Sequence, residues 1–192
     1  MSAEFQHERC TREDCCQYVV SSYQSVPYVR PPDPPEDAPR FRLKKSGIFM
    51  YDPEGYVLLV QSRGQFWGPP KGSIQLDETP LQCAIREVKE ETGLEMDETR
   101  FEGSTVIKSK ALYYFSKSSR TRDQLLPQIH ITDNDANAIG WFRVGCINEL
   151  ITSGKININQ HCRILIKKIF DEEIVFPAEF TPFLQKRLLR AE

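Results

Sequence analysis

The chain has 192 residues, of which 40% are hydrophobic and 27% are charged, a balance typical of a globular domain and not of a disordered chain. No apolar run approaches the roughly 20 residues that a membrane-spanning helix requires. The formal net charge of −2 argues against a highly basic nucleic-acid coat protein, although local basic segments are present.

The first 40 residues are interpreted as an N-terminal extension. Six of the 13 prolines fall between residues 27 and 39, and this density favours extended conformations and a linker. The preceding run, Thr11 to Tyr23, fits either a short helix or a strand. We therefore place the extension with its Pro-rich linker at 1–40, the main domain at 41–150, and C-terminal helices packing on that domain at 151–192.

The six cysteines show no CxxC spacing, and the N-terminus has no apolar stretch of the kind found in secretory signals. We therefore expect free thiols in a reducing compartment and no structural zinc site. The expected location is the cytoplasm, with the nucleus as the alternative.

Beyond the linker, strand and helix patterns alternate. Ser46–Tyr51 and Tyr56–Gln61 are β-rich, and the intervening residues Asp52-Pro53-Glu54-Gly55 have strong turn chemistry, which predicts a hairpin. Further strands are predicted at Thr105–Ile107, Ala111–Phe115 and Ala138–Val144, and helices at Ile158–Phe170 and Pro182–Leu189. The mixture predicts a single α/β domain.

A further helix is predicted from Pro80 to Thr92. Thr79 and Gln82 form a capping box, Pro80 suits the first helical position, and Gly93 suits the end of the helix. One face of this helix is apolar and is expected to pack on the sheet.

Three glutamates, Glu87, Glu90 and Glu91, lie on another face of this helix. Like charges one turn apart destabilise a helix by roughly 0.2–0.5 kcal/mol per pair, and a bound divalent cation would relieve the repulsion. Carboxylate oxygens suit Mg²⁺ or Mn²⁺ better than zinc. The alternative is a solvated charged face, but the rigid segment Phe66–Gly72 (FWGPPKG) before the helix favours the cation, since a backbone carbonyl there could join its ligands.

The segment resembles the Nudix box, G-x5-E-x7-R-E-U-x-E-E-x-G-U, in which U is aliphatic. Every fixed position is matched, by Gly72, Glu78, Arg86, Glu87, Val88, Glu90, Glu91, Gly93 and Leu94. The resemblance covers at least residues 41–150. It implies the Nudix fold, in which a mixed β-sheet is sandwiched between helices (α/β/α).

The resemblance also implies a metal-dependent hydrolase that uses Mg²⁺ or Mn²⁺ to cleave a diphosphate linkage. The metal would orient the attacking water, lower its pKa and neutralise the leaving phosphate. The implied metal ligands are Glu87, Glu90, Glu91 and the Gly72 carbonyl; Glu90 and Glu91 are assigned to catalysis; and Glu78 and Arg86 would form a structural ion pair.

The flanking residues indicate a branch of the family. Trp67–Gly72 and Cys83–Gly93 are similar to the WGFPKG and CAxREVxEETG of messenger-RNA decapping enzymes (Dcp2-type), although diadenosine tetraphosphate hydrolases carry a similar W-x-PPKG. Asp135, six residues before Trp141, occupies the position of a glutamate that acts there as metal ligand or general base. Its shorter side chain is a departure from that pattern, and a turn residue is the equal alternative.

Further residues are assigned to substrate. Lys71 would place a cation beside the phosphates, and Arg63 is a further substrate-binding candidate. Phe66, Trp67, Tyr113 and Tyr114 are candidates for base stacking, worth about 1–3 kcal/mol per base, with core packing the alternative. Arg163, Lys167 and Lys168 are candidates for tracking RNA phosphates; the alternative is the solvated side of an amphipathic helix.

The expected reaction is cleavage of the 5′ cap of RNA, releasing m7GDP and 5′-monophosphate RNA. The expected partner is therefore capped RNA or a nucleotide, and no membrane is involved. The first alternative is a hydrolase of dinucleoside polyphosphates or of another nucleoside diphosphate derivative. The second is a non-catalytic Nudix-fold binding module, which the intact set of carboxylates argues against.

Overall fold

The computed structural model describes residues 2–5, 16–20, 43–52, 55–62, 66–97, 101–118 and 136–170. These residues form ten strands and three helices. The strands are β1 (Ser2–Phe5), β2 (Cys16–Val20), β3 (Lys45–Tyr51), β4 (Tyr56–Ser62), β5 (Phe66–Gly68), β6 (Lys71–Ser73), β7 (Gly103–Ile107), β8 (Ala111–Lys117), β9 (Ala136–Arg143) and β10 (Asn157–Ile158). The helices are α1 (Pro80–Thr92), α2 (Val144–Thr152) and α3 (Gln160–Phe170).

One mixed sheet joins these strands, in the order β1-β2-β9-β4-β3-β8-β7. Strand β3 runs antiparallel to β4 and parallel to β8. The short strand β6 pairs with the start of β3, and β5 pairs with both β4 and β10. The segment from β5 to β6 is therefore held against the sheet on both sides.

The hydrophobic core consists of two clusters on opposite faces of the sheet. Ile48 and Met50 of β3 pack in one cluster with residues of α1, whereas Phe49 and Tyr51 pack in the other with residues of α2 and α3. This alternation is the period of two expected for a strand buried on both faces. The sheet therefore lies between α1 and the pair α2 and α3, and the predicted α/β/α sandwich is confirmed.

Helix α1 begins and ends at the predicted residues. The Thr79 hydroxyl accepts a hydrogen bond from the Gln82 N–H at 3.2 Å, and the Gln82 side chain accepts one from the Thr79 N–H at 2.9 Å. At the other end Gly93 has a φ of 73°, and its N–H donates to the Lys89 carbonyl at 2.8 Å. A left-handed residue here favours glycine because it has no Cβ.

Most predicted strands are observed within one or two residues of their expected ends. The ambiguous run before the linker contains a strand, because β2 pairs with β9 and β1 pairs with β2. The N-terminal segment thus extends the sheet of the main domain. Helix α2 and the strands β1, β5, β6 and β10 were not predicted. The Pro-rich stretch and the predicted helix Pro182–Leu189 lie outside the described residues.

Four cysteines of the described residues, Cys16, Cys83, Cys146 and Cys162, are buried free thiols, as expected. None of the three described helices has the length and apolar character that crossing a bilayer demands.

Candidate active site

A cavity of about 720 Å³ opens between the acidic face of α1, the β5–β6 segment and the start of α3. Five cationic side chains and two carboxylates are among its lining residues: Lys44, Lys45, Lys71, Arg86 and Lys110, with Glu87 and Glu90. The excess of positive charge in a concave site favours an anionic ligand.

Arg86 contacts three of the carboxylates. Its Nε and Nη2 donate to the two oxygens of Glu78 at 2.7 and 3.0 Å, a bidentate pair. Its Nη1 donates to Glu87 and to Glu90, each at 2.8 Å, and its Nη2 also donates to the Ser73 carbonyl at 3.2 Å. Glu78 and Arg86 therefore lie as the resemblance implies, and the same guanidinium connects α1 to β6.

This arrangement shifts the pKa values of Glu78 and Arg86. The hydrogen bond from the Arg86 guanidinium holds the pKa of the Glu78 carboxyl below its ordinary value, although partial burial acts in the opposite direction. The Glu78 carboxylate in turn raises the pKa of Arg86. The two groups are therefore charged at neutral pH.

The repulsion among the three glutamates is relieved differently from our expectation. Arg86 contacts Glu87 and Glu90, so the protein itself compensates part of their charge before any cation binds. Glu91 is only 3% exposed, and its carboxylate accepts a hydrogen bond from the Lys71 N–H at 2.9 Å. In the part of the chain that the structure describes, no group of three or more His, Cys, Asp or Glu side chains is arranged as a metal site.

The donor chemistry nevertheless fits a hard divalent cation. A Cβ atom at Gly72 would overlap the Glu87 carboxyl, so a larger residue here would displace this carboxyl from its present position. The nearby Cys83 thiol contacts the Gly72 carbonyl at 3.7 Å, and burial raises the pKa of this thiol to about 12. Because the thiol stays protonated, the ligands present are oxygens, which Mg²⁺ and Mn²⁺ prefer. The assignment of Glu87, Glu90, Glu91 and Gly72 to the metal stays a prediction.

Two of the residues assigned to base stacking are packed in the core. Trp67 is 3% exposed and meets Phe142 edge to face, with ring centroids 4.8 Å apart, and Tyr113 is fully buried. Their burial argues against the stacking role, because neither ring offers a face to a ligand. Phe66, the neighbour of Trp67 on β5, is 51% exposed and lines the cavity, since successive side chains of a strand point to opposite sides.

The other assigned residues are distributed as follows. Lys71 lines the cavity. Arg163 and Lys167 are exposed on α3, and Lys168 is half-buried. Arg63 and Asp135 lie outside the described residues, so their roles stay predictions.

Sequence reasoning missed the wall of the cavity that α3 provides. Asn159 caps this helix: its Oδ1 accepts a hydrogen bond from the Cys162 N–H at 2.9 Å, and its own N–H donates to the Trp67 carbonyl at 2.8 Å. A Cβ atom at Gly68 would overlap the Asn159 side chain, so this glycine permits the contact. The docking brings Asn159, Gln160 and His161 to the cavity. The only local signal was an asparagine before a helical pattern.

Comparisons with known proteins show the family of this chain. Residues 42–159 match the family described as NUDIX domain. The chain is 35% identical over 142 residues to the protein named "Putative hydrolase 111R" of Invertebrate iridescent virus 3, a match that spans 70% of this chain and 79% of that protein.

Two further relatives have names that refer to RNA. The Caenorhabditis elegans m7GpppN-mRNA hydrolase dcap-2 is 34% identical, over 55% of this chain but only 15% of that protein. The RNA pyrophosphohydrolase of Hydrogenovibrio crunogenus is 31% identical, over 58% of this chain and 70% of that protein.

Among solved structures, the Nudix hydrolase RenU from M. Smegmatis superposes with a TM-score of 0.53 at 15% identity, over 71% of this chain and 88% of that one. At this identity the match shows a common fold.

We expect Arg86→Ala to lower the free energy of unfolding at neutral pH by about 2 kcal/mol, because it removes the charged donor from three carboxylates. Arg86→Lys, which keeps the charge but cannot form the bidentate pair, should lose less. Urea denaturation followed by circular dichroism measures both.

The stability lost in Arg86→Ala should be larger at neutral pH than in acid. Because the pKa of Glu78 is lowered in the folded state, the stabilisation is present above the ordinary carboxyl pKa and is lost as pH falls through the folded value. The difference between wild type and Arg86→Ala should therefore shrink in acid. Equal stabilities at neutral pH would contradict the structural role of Arg86.

Proposed function

The chain belongs to the Nudix family and is a pyrophosphohydrolase, and on this basis we propose that it hydrolyses the diphosphate linkage at the 5′ end of RNA, with the 5′ cap as substrate. The observation that carries the proposal is the continuity of the cationic cavity with an exposed basic face of α3. A mononucleotide would need the cavity alone, whereas an RNA chain would also use the helix. The free thiols of the buried cysteines suit a reducing compartment, and we propose the cytoplasm.

The basic face begins at the cavity wall. Gln160 lines the cavity, and Arg163 and Lys167 follow on the exposed side of the same helix at spacings of three and four residues. Residues at these spacings are neighbours on one helix face. An RNA whose 5′ diphosphate occupies the cavity would place its next phosphates along this face.

Phe66 is suited to contact the base beside the diphosphate. Its ring is half exposed at the cavity, and it replaces the buried Trp67 and Tyr113 as the stacking candidate. Stacking of a base on an aromatic side chain contributes about 1–3 kcal/mol and depends little on which base is present.

The charged residues of the site have three different roles in this proposal. Lys45, Lys71 and Lys110 would neutralise the phosphates, while Arg86 fixes the positions of Glu87 and Glu90. Glu87, Glu90 and Glu91 would hold Mg²⁺ or Mn²⁺, which would lower the pKa of the attacking water and neutralise charge on the leaving phosphate.

The proton of the attacking water needs an acceptor. Of the two glutamates assigned to catalysis, Glu90 lines the cavity and has a side chain that is 42% exposed, so we assign it as the base. The almost fully buried Glu91, which accepts the hydrogen bond from the Lys71 N–H, would serve as a metal ligand.

Pyrophosphate removal from uncapped RNA is the second candidate. It is favoured by the relative named RNA pyrophosphohydrolase, of which this chain covers 70%, against 15% of the m7GpppN-mRNA hydrolase. Both reactions cleave a diphosphate at the 5′ end of RNA, so the same basic face supports both.

Substrate choice is tested by comparing a long capped RNA, a long 5′-triphosphate RNA, a cap dinucleotide and diadenosine tetraphosphate. The long capped RNA should have the highest kcat/KM. Its advantage over the dinucleotide should widen at low salt, since each phosphate contact on a single strand contributes a log–log salt slope of about −0.7. Preference for diadenosine tetraphosphate at every salt concentration would overturn the RNA proposal.

Reversing the charge of the basic face should act on long RNA alone. We expect Arg163→Glu or Lys167→Glu to lower kcat/KM on long capped RNA severalfold and to leave the cap dinucleotide unaffected. Lys155→Glu, at an exposed lysine outside this face, is the matched control. If kcat/KM on long capped RNA falls equally in all three variants, the loss is a general effect of charge and the basic face has no specific role.

Removal of one carboxylate charge should abolish most of the activity. Glu90→Gln and Glu91→Gln should each lower kcat by about a hundredfold or more, because each weakens cation binding or proton transfer. Glu95→Gln, in an exposed pair with Lys89, should retain activity. Near-normal kcat for either of the first two variants at saturating Mg²⁺ would show that its assignment is wrong.

Loss of the stacking ring should weaken substrate binding. We expect Phe66→Ala to raise KM about tenfold, while Phe66→Tyr retains wild-type KM. Val106→Ala removes another exposed apolar side chain outside the cavity and serves as the control. A KM that is unchanged in Phe66→Ala would exclude the stacking role.

A further inference from the structure

His161 occupies a position in the cavity that the Nudix box does not supply. It lies in the first turn of α3, just beyond the matched residues 42–159. It lines the cavity together with Lys45 and Lys71, opposite the acidic face of α1. A side chain in this place is well situated to meet an anionic ligand.

One ring nitrogen of His161 forms a hydrogen bond with a side chain of the hydrophobic core. Its Nδ1 lies 2.9 Å from the Tyr113 hydroxyl, and the two rings meet edge to face with centroids 5.8 Å apart. Tyr113 is fully buried, and burial raises the pKa of its hydroxyl well above the ordinary value, so the phenol keeps its proton.

The direction of this hydrogen bond follows from the burial of Tyr113. A buried O–H without an acceptor is costly, and within the described residues the only hydrogen-bond partner of this hydroxyl is Nδ1 of His161. Tyr113 therefore donates to Nδ1, and the proton of the imidazole lies on Nε2. Among the same residues, no hydrogen bond occupies Nε2.

The surroundings keep the ring uncharged. Burial, followed by the positive charges of Lys71, Lys45 and Lys108, lowers the pKa of His161. A neutral ring with its proton on Nε2 adds a directed hydrogen-bond donor beside the lysines, whose ammonium groups act as point charges. Phosphate oxygens are the acceptors that such a mixed set of donors would recognise.

We propose that His161 donates its Nε2–H to a phosphate oxygen of the substrate, and that Tyr113 is the positioning residue that holds the imidazole for this contact. The proposal rests on the proposed function only in that the substrate carries a diphosphate. It makes His161 a substrate-binding residue on α3, across the cavity from the glutamates.

The tautomer and the contact are tested by nuclear magnetic resonance on the full chain with ¹⁵N-labelled histidine. The chain has three histidines, and the signal that disappears in His161→Gln identifies the residue. We expect Nδ1 unprotonated and Nε2 protonated at neutral pH, and a shift of the Nε2 signal on addition of inorganic pyrophosphate. A proton on Nδ1, a charged ring, or a signal unaffected by pyrophosphate would overturn the proposal.

Substitutions of His161 distinguish a role in ligand binding from a purely structural role. His161→Phe keeps the ring and removes the donor, and should raise both the Kd for pyrophosphate and the KM for substrate about tenfold with little change in kcat. His161→Gln, whose amide N–H reaches close to the position of Nε2, should restore most of the affinity. Unchanged Kd and KM in His161→Phe, with only a lower Tm, would show that the histidine is merely structural.

Tyr113→Phe tests the positioning role. Without the phenol the tautomer is no longer fixed, so KM should rise by less than in His161→Phe, and the Nδ1 and Nε2 signals should move toward a mixture of tautomers. Tyr51→Phe removes another buried phenol, whose hydroxyl contacts Glu102 outside the cavity, and as the matched control it should leave both readouts unchanged. An unchanged tautomer in Tyr113→Phe would remove the positioning role.

Failure of this proposal can be distinguished from failure of the proposed function. Pyrophosphate binding and the histidine signals do not depend on which nucleotide is cleaved. If the wild type does not cleave RNA but His161→Phe binds pyrophosphate more weakly, the histidine contact is supported and the RNA assignment is wrong. If the wild type cleaves capped RNA and His161→Phe has an unchanged affinity for pyrophosphate, the RNA assignment is retained and the histidine contact is excluded.

Discussion

The hydrogen bonds of the Arg86 guanidinium are the constraint on which the candidate site depends. They join α1 to Glu78 in the loop before it and to the Ser73 carbonyl at the end of β6. The same group sets the positions of Glu87 and Glu90. Since β6 pairs with β3, a single side chain ties the acidic face of the helix to the middle of the sheet and so shapes the cavity between them.

The parts of the fold that local rules determine could be predicted from the sequence. The capping box at Thr79 and the left-handed Gly93 are short-range signals, and α1 has the predicted ends. Runs rich in β-forming residues, separated by strong turn residues, marked β3 and β4, which are buried on both faces. The acidic face of α1 was also correctly located, but its electrostatics were not, because the long Arg86 side chain reaches carboxylates one and four positions away.

The rest of the site depends on contacts that are distant in sequence. His161 and Tyr113 are 48 positions apart and meet only because α3 docks against β5 through Asn159. The choice between Trp67 and Phe66 depended on which side of a three-residue strand faces the core, and a strand this short has too little periodicity to decide it. Arg63 and Asp135 stay predictions.

The N-terminal hairpin has a consequence for how the molecule assembles. Strand β2 covers the edge of β9, and the Arg143 N–H contacts the Cys16 sulfur at 3.3 Å across a separation of 127 positions. Contacts this remote carry a large loop-closure entropy, so they are expected to form late in folding. Until they form, β9 presents unpaired backbone groups that invite strand addition by another molecule. In the folded chain β2 pairs with this edge and β1 pairs with β2, so the backbone groups of β9 are no longer open to an incoming strand.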